Sequence, residues 1–202
     1  MEKISLNGTW DFVADLDPKY HAIHGGFHKR HANRCNWQKV PVPGVWQKYG
    51  ERYDIFEGVC WLAREFAVPE LTDTTRATLH FGAINYLANI YLNGEHVGTH
   101  EGGYTAFTLD VSGKLQTGTN HLAVQVDNRA TTIKWPPCLG YFNYGGIHRG
   151  VDLTLSDGPT LGDIQLTGVC EEEGWFLQVT GQVTSCAQND AGAQPIIRVS
   201  SE

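Results

Sequence analysis

Asn93-Gly94 is the dipeptide that most constrains how this chain can fold. Both residues accept positive φ, as a two-residue hairpin turn requires. Ala88, Ile90 and Leu92 alternate before it, and Val97 follows. The pattern predicts a tight β-hairpin with one apolar face. Similar short alternating runs recur between Gly, Asn, Asp and Pro. They are Thr9 to Val13, Val59 to Val68 (ending at Pro69), Ala77 to Phe81, Phe107 to Val111, His121 to Val126 and Val151 to Leu155. Long helical periodicity is absent. This predicts an all-β chain, a jelly-roll β-sandwich of two packed antiparallel sheets.

Ser156-Asp-Gly-Pro-Thr160 reads as a linker. Ile164 to Val169, Trp175 to Val183 and Ile196 to Val199 read as three further strands. Their apolar set, including Ile164, Leu166, Phe176, Leu177, Val179, Ile196 and Ile197, is too large to leave in water. The expectation is that this segment pairs with another copy or stays mobile.

The 202 residues include six Trp, eight Tyr and eight Phe, ample for a core. A net charge of −7 argues against a nucleic-acid surface, which needs clustered Lys and Arg. No apolar run approaches the roughly 20 residues that span a bilayer. The first residues are too polar for a signal peptide, which predicts a cytoplasmic chain. Its five cysteines, odd in number and irregularly spaced, are then expected as reduced thiols.

Two regions have the composition of a binding site. In Tyr141-Phe-Asn-Tyr-Gly-Gly-Ile-His-Arg149, aromatic rings and an amide stand at the mouth of the last sandwich strand. Such rings suit the apolar face of a sugar, and they also simply pack. Trp135, followed by two prolines, is a candidate platform, because the stiffened chain leaves its indole projecting. The candidate ligand contacts are Trp135, Tyr141, Asn143, Tyr144 and Arg149, the last also suited to fixing the loop through a carboxylate or carbonyl. The second region is His21, His24, His28, His31 and Cys35. Its spacing could present zinc ligands on a helical face, yet Gly25-Gly26 would interrupt that helix. A surface insertion is the alternative, and no metal or other cofactor is assigned.

Tyr141 to Arg149 resembles the loop that closes the N-terminal sugar-binding domain of glycoside hydrolase family 2, most closely its β-glucuronidase branch. Leu6-Asn-Gly-Thr-Trp-Asp-Phe12, Val42-Pro-Gly-Val-Trp46, Trp61-Leu-Ala-Arg-Glu-Phe66, Ile90 to Gly98, His100 to Phe107 and Val126-Asp-Asn128 resemble it in the same order. The resemblance implies a galactose-binding-domain-like jelly roll over residues 1–156. The incomplete start of an immunoglobulin-like sandwich follows over 160–202. It implies a non-catalytic region, since the family's catalytic carboxylates lie on a barrel, the acid/base in an Asn-Glu dipeptide that this sequence lacks. The implied partners are carbohydrate and that barrel, with a homo-oligomer also open and neither nucleic acid nor membrane expected. The parent would cleave terminal β-linked sugars, a glucuronide or galactoside. Gly140 stands where several members carry an acid that touches the sugar. A stand-alone carbohydrate-binding module and a structural interaction domain are the alternatives.

Overall fold

The computed structural model describes residues 1–17, 26–129, 143–157, 160–171 and 174–184. Its strands are β1 (Glu2–Ser5), β2 (Gly8–Asp15), β3 (Gln38–Val42), β4 (Val59–Val68), β5 (Arg76–Phe81), β6 (Ile84–Asn85), β7 (Leu87–Leu92), β8 (Glu95–Glu101), β9 (Phe107–Asp110), β10 (Gly118–Asp127), β11 (Gly146–Ile147), β12 (Val151–Ser156), β13 (Thr160–Glu171) and β14 (Gly174–Thr184). Two single 3-10 turns, Trp46–Lys48 and Glu51–Tyr53, are the helical elements among the described residues.

Ten strands form two antiparallel sheets, ordered β1-β12-β5-β9 and β3-β2-β4-β10-β7-β8. Alternation along each strand turns one row of side chains inward. Leu79, Phe81, Val151 and Leu153 from the first sheet share one core with Trp10, Phe12, Leu62, Ile90, Leu122 and Val124 from the second. The all-β sandwich predicted from the sequence is the observed architecture.

The hairpin forms where the turn chemistry requires it. Asn93 has φ 53° and Gly94 φ 90°, and Leu92 pairs with Glu95. Asn93 also has a tertiary role. Its Oδ1 accepts from His121 N at 2.9 Å, and its Nδ2 donates to Asn120 Oδ1 at 2.9 Å. The turn is thereby tied to β10.

β4 is buried on both faces. Cys60, Leu62, Phe66 and Val68 point into the sandwich, while Trp61 and Ala63 point out and are still covered. The cover comes from the segment before β3. Phe27 meets Trp37 edge-on at 5.2 Å and Trp61 at 6.0 Å. His28 stacks on Tyr91 at 4.9 Å. This part of the histidine-rich segment therefore packs as a layer over the six-stranded sheet. Among the described residues, no group of three His, Cys, Asp or Glu side chains is arranged to hold a metal. His21 and His24 lie outside the described residues.

Cys60 is fully buried, and that burial, together with Asp15 and Asp127, pushes its thiol well above the usual range. It behaves as a small apolar residue. Cys35 and Cys170 are exposed and free.

β13 and β14 form a separate antiparallel hairpin, with an irregularity between Gly162 and Gln165. They contain the predicted runs Ile164 to Val169 and Trp175 to Val183. Ile164, Leu166, Trp175, Phe176 and Leu177 are exposed. The third predicted strand, Ile196 to Val199, lies outside the described residues.

Candidate functional site

The loop entering β11 is built around a contact that leaves no room for a side chain. A Cβ on Gly145 would fall 1.9 Å from Trp46 Cζ2. Gly146 has φ +130°, and a Cβ there would meet the Gly44 carbonyl oxygen at 2.7 Å. Glycine is thus required twice, by packing and by backbone conformation. Trp46 is held in turn, its Nε1–H donating to the Phe56 carbonyl at 3.0 Å. Trp46 N donates to Gly145 O at 3.0 Å, and Gly44 N to Ile147 O at 2.8 Å.

Three asparagines brace the same loop. Asn128 is fully buried, and its Nδ2 donates to the Asn143 carbonyl at 2.7 Å. Its Oδ1 accepts from Gly58 N at 2.8 Å. Asn143 Nδ2 donates back to the Asn128 carbonyl. Asn85 Nδ2 donates to Asn143 Oδ1 at 2.9 Å and also to the Tyr144 carbonyl. Both ends of the Asn143 amide therefore serve the loop.

Arg149 does what a loop-fixing cation should. Its Nη1 donates to the Tyr104 carbonyl at 3.1 Å. Tyr144 projects outward and lines a cleft of about 340 Å³ with Val45, Lys48, Asn85, Tyr104 and His148. Tyr104 is 72% exposed and Tyr144 48%, so both residues are partly open to solvent. The His148 ring lies 5.8 Å from Tyr104, and its Nε2–H donates to the Gly103 carbonyl at 2.6 Å. That bond fixes the ring's orientation and its Nε2 proton.

The cleft combines two aromatic faces, an ammonium group and amide edges. Such a surface can stack on the C–H face of a sugar and hydrogen-bond its hydroxyls. None of the described residues that line it carries a carboxylate. Of the candidates read from sequence, Tyr144 lines the cleft, while Asn143 and Arg149 support it from behind. Trp135 and Tyr141 lie outside the described residues. Sequence reasoning missed Val45, Lys48, Asn85, Tyr104 and His148 as a group. Val45, Tyr104 and His148 do fall within the segments that carry the family resemblance, which was the available signal.

Fold and cleft together define a β-sandwich module suited to carbohydrate. Comparison with known proteins makes the class specific. The sequence pattern of "Glycosyl hydrolases family 2, sugar binding domain" matches residues 52–156. A β-galactosidase of Thermoanaerobacter pseudethanolicus is 29% identical over 80% of this chain and 22% of its own length. The β-glucuronidase of Felis catus is 26% identical over 86% of this chain and 32% of its own length. Among solved structures, a β-glucuronidase from an uncultured Clostridium species superimposes with a TM-score of 0.77 at 28% identity, covering 91% of this chain and 34% of that one. The chain belongs to glycoside hydrolase family 2, through the sugar-binding domain found in its β-glucuronidase- and β-galactosidase-like proteins. It spans about a third or less of the length of these relatives.

Proposed function

We propose that this chain is the non-catalytic sugar-binding region of a larger glycoside hydrolase that releases terminal β-glucuronide or β-galactoside residues in cytoplasmic carbohydrate metabolism. The cleft between Tyr104 and Tyr144 carries the reading, because it pairs aromatic side chains with polar edges. Residues 1–156 are the sugar-binding unit, and residues from 160 begin an immunoglobulin-like unit. The exposed side chains of Leu166 and Leu177 fit continuation into a larger sheet or association with another copy. Trp135 and Tyr141 remain sequence-based candidates for the same sugar.

The test is calorimetric titration of the chain with methyl β-glucuronide and methyl β-galactoside. Weak binding that Tyr144→Ala or Tyr104→Ala removes is expected, as is no turnover of the nitrophenyl glycosides. Absence of binding to both sugars would remove the sugar-contact reading. Turnover abolished by mutating one of the chain's own carboxylates would remove the non-catalytic one.

A further inference from the structure

The two tyrosines of the cleft come from separate parts of the chain. Tyr104 lies in the loop from β8 to β9, and Tyr144 leads into β11. The Tyr104 phenol has no hydrogen bond among the described residues. Its one ring contact there is with His148, at 5.8 Å and an interplanar angle of 62°. The ring therefore stands where its own backbone places it.

That backbone is held at consecutive peptide groups by consecutive side chains. His148 Nε2–H donates to the Gly103 carbonyl at 2.6 Å, and Arg149 Nη1 to the Tyr104 carbonyl at 3.1 Å. On the far side of the loop, Thr105 Oγ1 lies 3.5 Å from His100 Nε2, and the His100 ring stacks on Phe107 at 3.9 Å. Gly103 is buried, and a Cβ there would fall 2.6 Å from Asn85 Oδ1. The same Asn85 donates to the Tyr144 carbonyl. Both walls of the cleft thus bear on Asn85, and the His148 bond keeps the Tyr104 wall against it. Of the two donors to this loop, Arg149 is exposed, where water readily replaces a hydrogen bond, and His148 is half-buried.

We infer, on the reading of the Tyr104–Tyr144 cleft as a sugar site, that His148 is a positioning residue for the sugar. Through the Gly103 carbonyl it sets where the Tyr104 ring stands relative to Tyr144, and so the gap offered to a sugar ring. It need not touch the sugar to do so. Stacking of C–H groups on an aromatic face depends steeply on distance, and a gap of about 0.5–1 Å already forfeits a quarter to a half of each contact. A small displacement of the loop is enough to weaken binding.

The test uses three substitutions in the full chain. His148→Gln keeps an amide N–H able to reach the Gly103 carbonyl, His148→Asn falls one methylene short, and His148→Ala removes the donor. Each is titrated calorimetrically with methyl β-glucuronide and methyl β-galactoside. In the absence of sugar, the backbone order parameters of Tyr104 and Thr105 are measured by ¹⁵N relaxation. Affinity should fall about fivefold in the Asn and Ala variants, the worth of one neutral hydrogen bond, and stay within about twofold of wild type in the Gln variant. The order parameters should fall in Asn and Ala and recover in Gln. If the Ala variant does not fold, Asn against Gln makes the same comparison. The inference is overturned if Asn and Ala keep wild-type affinity or wild-type loop order, or if Gln binds as weakly as Ala. If the wild type binds neither sugar, the sugar reading falls by itself, and the order parameters alone decide whether His148 holds Tyr104.

Discussion

Gly145 lies flat against the Trp46 indole, and each residue makes the other's position possible. The indole is fully buried and pinned to the Phe56 carbonyl, so it cannot move aside. Gly145 N in turn donates to Gln47 Oε1 at 3.1 Å, next to that same tryptophan. The loop carrying Tyr144 is therefore positioned by packing underneath it.

Gly145→Ala should accordingly destabilise the fold. Overpacking of this kind costs about 1–3 kcal/mol, and a Cβ inside the van der Waals radius of a fixed ring belongs at the upper end. A fall in Tm of roughly 3–10 °C is expected for a domain of this size. Differential scanning calorimetry measures it, and an unchanged Tm would mean that the loop shifts without cost.

Asn128→Ala should loosen the same loop from the opposite side. It leaves Gly58 N–H without its buried acceptor, at a cost of about 1–3 kcal/mol. It also removes the donor to the Asn143 carbonyl. Sugar affinity at the Tyr144 cleft should fall several-fold together with stability, roughly 1 kcal/mol in binding. Parallel denaturation and titration would reveal either effect alone, which would break the proposed link.

His121 gives a pH dependence whose sign is fixed. It is fully buried on β10, and its pKa is lowered to about 4, first by that burial, then by Arg34, Arg30 and His28, against Asp11. Arg34 Nη2 donates to His121 Nε2, so the ring must stay neutral to accept. The unfolded chain takes up this proton near pH 6.5 and the folded one only near 4. Stability from this group is complete above about pH 6.5 and is lost as pH falls toward 4, by roughly 3 kcal/mol in all. His28 and His100 are lowered in the same direction, mainly by burial. Urea denaturation from pH 7 to pH 4 should show a shallower decline for His121→Gln than for the wild type. Identical slopes would contradict the assignment.

The exposed apolar side chains of β13 and β14 should make the chain associate. Ending the chain at Asp157 should leave the Tm of the sandwich within about 2 °C, because the hairpin's ladder hydrogen bonds run between its own two strands. Light scattering of the full chain should rise with concentration, and that of the shortened chain should not. Monomers in both cases would mean that the hairpin's apolar residues find cover within the chain.

Local chemistry was legible in the sequence wherever one residue type satisfies one backbone demand. Asn93-Gly94 specified its hairpin because both positions need positive φ. Val59 to Val68 announced a strand with its observed bounds, since side chains alternate and Pro69 ends the ladder. Arg149, for which the sequence left a carboxylate or a carbonyl open, donates to the Tyr104 carbonyl. Other features needed the folded chain. β1, β6 and β11 are too short or too polar to be read alone and exist through their pairing with β12 and with each other. The covering of Trp61 by Phe27 required a segment far away in sequence to lie across the sheet. Lys48, Tyr104, Tyr144 and His148 come from three separate stretches, and no spacing rule joins them. Turn and strand preferences act over a few residues, so a sequence displays them. Which faces meet depends on burying the whole apolar surface at once, and that is decided only when the two sheets pack.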